Sequence, residues 1–398
     1  MQVRKLDLQT QGIVMLKHIF VASLLAFYIS ACALDDLCGD VSPCQEESEM
    51  GSDSGKPSAE DKNTVQSGNE NPNETNGSHE ESEIPATDTT PSDTMDPAGE
   101  AGATLLGQNQ TIAAFNDVHV FFGSENKRTV DSTVSFPALD QAFQKVTMHF
   151  QLKCPANGGC DYWDRKGWLG LVQHAGTDAE SVIELWRFIT PYRVGADWTH
   201  DMTDLRSLLA GDVQLRVFID TWVGPGHSNG AGWLVDVDFE FEGGFPERIP
   251  LAVIPVWTAR SFEYGNPEKP TDTVYSESIT LPEGVNYGSL RLLITGHGQG
   301  NAEYCAEFCP KNHYLTVENQ AFSERIWRND CVVTAAPGQY GNYASSRAGW
   351  CPGAYVRPWT VDVSSQVAGK NQISVDYGVE AYENTCRPGA EPCTGCVH

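Results

Sequence analysis

The sequence contains little positive charge. Its 398 residues include 26 Lys and Arg residues against 53 Asp and Glu residues, which gives a formal net charge of −27 at pH 7. Proteins that bind nucleic acid neutralise phosphate groups with clustered Lys and Arg side chains. The shortage of such residues argues against nucleic acid as a partner.

Long apolar runs are also scarce, and the one that stands out lies near the N-terminus. The run IFVASLLAFYISA lies between Lys17 and Cys32. It is too short to cross a bilayer comfortably, and a positive residue before a short apolar core is typical of a secretory signal peptide. Its last residues, together with the cysteine, read ISAC and resemble the bacterial lipobox, whose cysteine is acylated.

We therefore expect residues 1–31 to be a lipoprotein signal peptide and Cys32 to carry a lipid that anchors the protein to a membrane. A plain signal peptide that is cut elsewhere is the alternative. The expected location is the bacterial cell envelope, at the outer membrane or cell surface, or secretion from the cell.

Residues 32–104 have almost no aromatic or branched apolar side chains. Their composition is dominated by Ser, Asn, Asp, Glu, Gly and Pro, and they carry more than half of the net charge. Such a segment buries too little apolar surface to offset the entropy lost on ordering. We expect a disordered acidic tether, so the acidity of the whole chain says little about the ligand of the folded part.

Helical periodicity is scarce in residues 105–398, whereas period-two alternation recurs throughout. The segment WLVDVDFEFEG, residues 233–243, places valine and phenylalanine on one face and acidic residues on the other. This pattern is typical of an antiparallel strand with one buried and one wet face. Similar strands are predicted for VHVFFG, KVTMHFQL, VIELWRFI, VQLRVFIDTW, IPLAVIPVW, VYSESITL, SLRLLITG, NHYLTVEN, YVRPWTVDV and NQISVDYGV.

Many strands and few helices predict an all-β protein of sandwiches or barrels. Only TDLRSLLAG, which ends at Gly211, is expected to form a short helical turn. A change of composition at GGFPERIP, residues 243–250, predicts a boundary between two domains, residues 105–245 and 246–398.

The cysteine spacing suggests disulfides. In an exported protein, disulfide formation is the default state of paired cysteines. Three close pairs are predicted: Cys154–Cys160, Cys305–Cys309 and Cys331–Cys351. A zinc site at CAEFC is the alternative for the second pair, but the additional ligands of a zinc knuckle are missing nearby. The pairing of Cys38, Cys44, Cys386, Cys393 and Cys396 stays open.

Four segments combine carboxylates, arginines and tryptophans with cysteines or turn residues. They are CPANGGCDYWDRKGW, FIDTW, ITGHGQGNAEYCAEFC and SSRAGWCPG. Each alone is explained by surface ion pairs, turns or packing. Taken together they suit a sugar ring, whose C–H face stacks on indole while its hydroxyl groups bond to charged side chains.

Six segments resemble a known family. In chain order they are CPANGGCDYWDR, RFITPYRVG, TDLRSLLAGDVQLRVFIDTW, ITGHG, CAEFC and RAGWCPG. They resemble the peptide-N-glycosidase F family of secreted bacterial amidases, which cut N-linked glycans from asparagine. The similarity covers most of residues 115–365. It implies two adjacent antiparallel eight-stranded jelly rolls, with the active cleft at their interface.

The resemblance implies a set of catalytic carboxylates. Asp164 matches the family's principal catalytic aspartate, and Glu307 matches the glutamate between its paired cysteines. Asp220 falls where the family has the glutamate of an E-T-W segment. The residues expected to contact substrate are Trp163, Arg165, Trp222, His297, Gln299, Phe308, Arg347 and Trp350.

Three departures from the family pattern affect these expectations. Asp220 is one methylene shorter than glutamate, so its carboxylate stops short unless the backbone moves or a water bridges. The family's W-G-H reads HGQ at residues 297–299, so the sugar is expected to be held differently. The C-terminal ENTCRPGAEPCTGCVH replaces a further strand, so either its cysteines staple a shortened edge or the chain is incomplete.

The implied activity is hydrolysis of the amide between asparagine and N-acetylglucosamine in N-linked glycoproteins or glycopeptides. No metal or cofactor is expected, and a monomer is expected. One alternative is a surface lipoprotein that binds glycans without cleaving them. A copper monooxygenase would need clustered histidines, which are scattered here. An endoglycosidase would leave one sugar on the asparagine, so product mass separates it from an amidase.

Overall fold

The structure is a computed structural model that describes residues 105–259, 261, 263–264, 274–298, 307–381 and 396–397. The expected signal peptide and acidic tether lie outside these residues. So do the side chains of several residues named above: Cys32, Cys38, Cys44, Gln299, Cys305, Cys386, Cys393 and Cys396. No helix among the described residues is both long enough and apolar enough to cross a membrane.

The described residues form strands linked by loops and three short helical segments. The strands are β1 (Leu105–Leu106), β2 (Gln110–Phe122), β3 (Asn126–Lys127), β4 (Thr129–Phe136), β5 (Gln141–Lys153), β6 (Lys166–Gln173), β7 (Ser181–Ile189), β8 (Ala196–Asp201), β9 (Gly211–Ile219), β10 (Trp233–Gly243), β11 (Glu263–Tyr264), β12 (Val274–Thr280), β13 (Ser289–Leu292), β14 (Lys311–Val317), β15 (Gln320–Ile326), β16 (Ala354–Tyr355), β17 (Trp359–Asp362), β18 (Gln372–Val379) and β19 (Cys396–Val397). The helical segments are a 3₁₀ turn (Thr203–Leu208), α1 (Cys331–Thr334) and α2 (Ser364–Val367).

The first sandwich contains eight strands of six or more residues, β2 and β4 to β10. One sheet has the order β2-β10-β5-β8, with the short strands β1 and β3 at its edges. The other sheet has the order β4-β9-β6-β7. Numbered along the chain, these are strands 1-8-3-6 and 2-7-4-5, which is the jelly-roll arrangement. The predicted all-β fold is confirmed in this part of the chain.

Alternating side chains build the core of the first sandwich. Along β10, Trp233, Val235, Val237, Phe239 and Phe241 are all buried, while the acidic residues between them are half-buried or exposed. Residues of both sheets contribute to one apolar cluster. The acidic row therefore occupies the wet face of the strand, as the alternation predicts.

The second sandwich is smaller within the described residues. One sheet has the order β12-β18-β14-β15, and the second pairs β13 with β17. Buried residues of both sheets form a second apolar cluster, among them Leu315, Val361, Ile373 and Val375. Two further short strands, β11 and β19, pair with each other.

Several contacts join the two sandwiches. Strand β16 pairs with β7 and so extends a sheet of the first sandwich with residues from the second half of the chain. Arg187 on β7 donates to the Leu293 carbonyl at 3.3 Å and to Thr295 Oγ1 at 3.2 Å. His200 lies 3.3 Å from a nitrogen of Arg291. Burial and the charge of that arginine lower the pKa of His200 to about 4, so neutral His200 can accept this hydrogen bond.

The prediction of a strand at residues 249–257 is wrong. The chain has no regular structure there, although Val253 and Val256 still pack against the two apolar clusters. Pro250 and Pro255 explain the difference. Proline lacks the N–H group that a sheet ladder needs and restricts the residue before it.

Two of the predicted disulfides are present. Cys154 bonds to Cys160, and Cys331 bonds to Cys351. Cys309 is also disulfide-bonded. Its expected partner, Cys305, lies outside the described residues.

Two neighbouring residues of β5 test the account of the first core. Phe150 is fully buried, with its ring 4.9 Å from the rings of Trp186 and Phe188. We expect Phe150→Ala to lower the free energy of unfolding by about 3–5 kcal/mol, because it removes a large buried ring and leaves a cavity. Urea unfolding followed by circular dichroism measures this loss.

His149, one position earlier, provides the matched control on the opposite face. Its side chain is 43% exposed and contacts Glu240 at 3.3 Å. His149→Ala should cost less than about 1 kcal/mol, because exposed polar contacts contribute little to stability. Equal losses for the two variants would contradict the burial pattern.

Candidate active site

A buried aspartate fixes the turn that carries Asp164. Asp161 follows the disulfide-bonded Cys160 and is fully buried. Its Oδ1 accepts from the backbone N–H of Trp163 at 3.0 Å, and its Oδ2 accepts from Arg165 Nε at 3.0 Å and Thr221 Oγ1 at 2.7 Å. One charged donor and two neutral donors at these distances compensate the carboxylate for the loss of water.

The end of strand β7 holds the same turn from the other side. Thr190 Oγ1 accepts from the backbone N–H of Arg165 at 2.8 Å and donates to the carbonyl of Trp163 at 3.1 Å. The Thr190 N–H donates to the Arg165 carbonyl at 2.8 Å. Asp164 is therefore presented by a backbone that is anchored at both of its neighbours.

Asp164 itself is half-buried and forms a hydrogen bond with the side chain of Tyr192. Burial raises the pKa of the Asp164 carboxyl above its usual value. This effect outweighs the Tyr192 hydrogen bond and the positive charges of Arg347 and Arg165, which lower the pKa. Burial disfavours the charged form of a carboxyl, so this group holds a proton more readily than an exposed aspartate.

Tyr192 connects this carboxyl with the second half of the chain. The side chain is buried, and its hydroxyl donates to Asn342 Oδ1 at 2.9 Å. Burial and the negative charge of Asp164 raise the pKa of Tyr192 well above its usual value, and the charge of Glu307 acts in the same direction. Both carboxylates therefore lie close enough to Tyr192 to influence its ionisation.

Arg347 lies between these groups as a buried cation that is only 1% exposed. Its Nε donates to Glu307 Oε1 at 3.3 Å, and its terminal nitrogens donate to Asn342 Oδ1 at 2.9 Å and to the Ser345 carbonyl at 2.8 Å. Its guanidinium carbon lies 5.2 Å from the ring centre of Phe308. Removing one partner of a buried ion pair is strongly destabilising, so Glu307 and Arg347 form one unit.

A hydrogen-bond chain runs from Asp164 through Tyr192 to Asn342 and Arg347. The hydroxyl of Tyr192 donates to Asn342 Oδ1 at 2.9 Å, and the same oxygen accepts from Arg347 at 2.9 Å. The hydrogen bond with Tyr192 lowers the pKa of the Asp164 carboxyl and so opposes the larger effect of burial.

Asp220 makes a different contact. Its Oδ1 lies 3.2 Å from Arg128 Nη1, and its side chain is substantially exposed. The guanidinium carbon of Arg128 lies 4.2 Å from the ring centre of Trp222, so the arginine covers one face of that indole. Thr221, which lies between Asp220 and Trp222 in the sequence, donates a hydrogen bond to Asp161. The contribution of Asp220 to a catalytic water network stays a prediction.

The tryptophans divide into exposed and buried groups. Trp163 is 54% exposed and Trp222 is 47% exposed, so both present indole surface to solvent. Trp350 is 3% exposed, and its Nε1 donates to the Gly296 carbonyl at 2.7 Å. Its ring stacks on His297 with centres 5.1 Å apart. The expected substrate contact of Trp350 stays a prediction, and in this structure its indole packs against Gly296 and His297.

The sequence singled out Asp164, Glu307, Arg165, Phe308 and Arg347, and the structure brings Asp164, Glu307 and Arg347 around Tyr192. Asp161 and Tyr192 lie within CPANGGCDYWDR and RFITPYRVG, but the sequence alone predicts no role for either. The described residues contain no group of three or more His, Cys, Asp or Glu side chains with a geometry suited to a metal ion.

Two parts of the chain match known families. Residues 168–231 match the family described as Peptide-N-glycosidase F, N terminal, and residues 266–392 match Peptide-N-glycosidase F, C terminal. The sequence is 30% identical over 288 residues to peptide-N(4)-(N-acetyl-beta-D-glucosaminyl)asparagine amidase F of Elizabethkingia miricola, covering 69% of this chain and 78% of the relative. The chain belongs to the peptide-N-glycosidase F family.

Solved structures of peptide-N-glycosidase F have the same fold. A glycosylasparaginase of that name from Flavobacterium meningosepticum gives a TM-score of 0.62 at 25% identity, covering 73% of this chain and 94% of the other. A structure of a peptide-N(4)-(N-acetyl-beta-D-glucosaminyl)asparagine amidase gives a TM-score of 0.61 at 26% identity, with the same coverage. The expected peptide-N-glycosidase F fold is therefore confirmed.

Asp161→Asn tests whether the buried carboxylate holds the turn. An amide has one acceptor oxygen in place of two, and its NH₂ group faces the donors of Arg165 and Thr221. We expect the free energy of unfolding to fall by about 3 kcal/mol, because Arg165 loses its charged partner. Urea unfolding measures the change.

Asp212→Asn is the matched control, since Asp212 is exposed and bonds only to Ser135 Oγ among the described residues. Its effect should stay within about 0.5 kcal/mol. If Asp161→Asn is as stable as this control, the turn does not depend on the buried carboxylate.

Proposed function

We propose that this protein is a peptide-N-glycosidase. It would hydrolyse the amide between an asparagine side chain and the first N-acetylglucosamine of an N-linked glycan on a glycoprotein or glycopeptide. The asparagine becomes aspartate, and the intact glycan leaves as a glycosylamine that later loses ammonia. The observation that carries the proposal is the meeting of Asp164 and Glu307 around Tyr192 and Arg347 in a chain of this family.

Asp164 is suited to the proton transfers of this reaction. Water must add to the amide carbonyl, and the departing nitrogen must gain a proton when the C–N bond breaks. A carboxyl group with a raised pKa can take a proton from water in one step and return it to nitrogen in another. The raised pKa of Asp164 and its anchored backbone support this assignment.

Glu307 and Arg347 would order the site rather than carry protons. Glu307 is largely buried and is fixed by Arg347 and by the N–H of Ala348, which donates to its carbonyl at 2.8 Å. A carboxylate held in this way can position a water or a sugar hydroxyl. Because Arg347 is buried, it acts on the reaction through the two carboxylates.

Arg165 is the better candidate for contact with the substrate. Its Nε is committed to Asp161, whereas its terminal nitrogens make no hydrogen bond within the described part of the chain. A guanidinium edge beside Asp164 could stabilise charge on the carbonyl oxygen as water adds. Exposed indole faces of Trp163 and Trp222 would hold the C–H face of a sugar.

The non-catalytic alternative receives no specific support. The matched relatives are named as amidases, and a raised carboxyl pKa is more typical of proton transfer than of simple binding. The lipid anchor on Cys32, the envelope location and the monomeric state remain predictions from the sequence.

Hydrolysis in water enriched in oxygen-18 tests the proposed activity. The intact protein should convert an N-glycopeptide into a full-length glycan and a peptide whose new aspartate carries the heavy oxygen. Mass spectrometry reads both products. Asp164→Asn should lower kcat by at least about 100-fold, since general acid–base catalysis commonly contributes that much. Asp212→Asn serves as the control and should retain activity.

The products separate the alternatives. Asparagine that keeps one sugar would indicate an endoglycosidase. An uncleaved glycopeptide that nevertheless binds would indicate a glycan-binding protein. Full activity in Asp164→Asn would show that another group carries the proton.

A further inference from the structure

Arg193 stands immediately beside the candidate site with an unusual backbone. It follows Tyr192, and its φ of 64° lies in the left-handed region that non-glycine residues seldom adopt. Its N–H donates to the carbonyl of Asp161 at 3.1 Å. The turn that presents Asp164 therefore also fixes the backbone of Arg193. The side chain of Tyr192 is buried in the candidate site, whereas that of Arg193 is exposed to solvent.

Two tyrosines hold the guanidinium of Arg193. Its central carbon lies 3.7 Å from the ring centre of Tyr162 and 5.2 Å from that of Tyr340. Tyr162 belongs to the turn of Asp164, whereas Tyr340 comes from the second half of the chain and is 60% exposed. The Tyr340 N–H donates to the Tyr192 carbonyl at 3.4 Å, so Tyr340 is hydrogen-bonded to a residue of the candidate site.

Within the residues that the structure describes, the guanidinium of Arg193 has no hydrogen-bond or ion-pair partner. Other arginines of the fold have carboxylate partners, among them Arg128, Arg187, Arg216 and Arg328. Aromatic rings cover the face of a guanidinium and leave its N–H edge free, and that edge matches a carboxylate in a two-point contact.

We propose that Arg193, held by Tyr162 and Tyr340, is a carboxylate-binding subsite that favours substrates with an acidic group near the cleaved amide. The inference rests on the proposed function for the nature of that substrate. Two sources supply the same chemistry: an acidic residue next to the glycosylated asparagine, or an acidic sugar of the glycan. The subsite lies beside the reacting groups without belonging to them.

Matched glycopeptides test the subsite and separate the sources. One pair differs only by Glu or Gln next to the glycosylated Asn, and a second pair differs only by the presence of an acidic sugar. The ratio of kcat/KM within each pair is measured for the intact protein. We expect a preference of about 3- to 10-fold for the acidic member of at least one pair, weakened by added salt.

Arg193→Met should bring the ratio of kcat/KM within each pair close to one. Tyr340→Leu should reduce this ratio, because it removes one of the two rings that hold the Arg193 guanidinium. Arg248→Met is the matched control. Arg248 is also exposed and lies 4.0 Å over the ring of Tyr287, but no contact in the described structure joins it to the turn of Asp164. Circular dichroism and thermal unfolding verify that each variant is folded.

Binding to the Asp164→Asn variant keeps this test separate from the proposed activity. Fluorescence anisotropy of the labelled glycopeptides should show the same acidic preference without turnover. If no glycopeptide is cleaved but the preference depends on Arg193, the proposed function fails and the subsite stands. A ratio of one in the wild type, an unchanged ratio in Arg193→Met, or an equal loss in Arg248→Met would overturn the subsite.

Discussion

The buried guanidinium of Arg347 imposes the central constraint on this molecule. A cation that is 1% exposed cannot remain charged in the interior without anionic and carbonyl partners. Glu307, Asn342 and Ser345 provide them, and all come from the second half of the chain. The field of Arg347 reaches Asp164 and Tyr192 from the first half. The charge of Arg347 therefore acts on both parts of the candidate site, Glu307 in the second half of the chain and Asp164 and Tyr192 in the first half.

A second buried ion pair acts on the first half in the same way. Asp161 accepts hydrogen bonds from Arg165, Thr221 and the Trp163 backbone. If the turn that presents Asp164 rearranged, the buried carboxylate of Asp161 would lose these partners. Between the two pairs, Asp164 is the carboxyl whose burial is not fully offset by hydrogen bonds and charge. The two ion pairs, Asp161–Arg165 and Glu307–Arg347, are fixed by their hydrogen bonds, and Asp164 between them has a raised pKa. Proton-transfer chemistry requires a group with such a perturbed pKa.

Sequence patterns were sufficient for the fold and for part of the site. Alternation along residues 233–243 predicted which face is buried, because side chains of a strand alternate strictly. The strand predicted at residues 249–257 is absent because their composition is apolar, as in a strand, but their prolines lack the N–H groups that a sheet ladder needs. The roles of Asp161 and Tyr192 depend on partners up to 150 positions away, such as Asn342. Their only sequence signal was their place inside CPANGGCDYWDR and RFITPYRVG. The burial of Trp350 could not be predicted, because it depends on neighbours from several loops.

The most direct test of this account is the pKa of Asp164 in the intact protein. Carbon-13 NMR of labelled aspartate carboxyl groups can follow it, and the resonance missing from Asp164→Asn assigns it. The account predicts titration above the usual aspartate value of about 3.9. Titration of that resonance at or below the usual value would contradict it, because Asp164 would then be an ordinary ionised carboxylate.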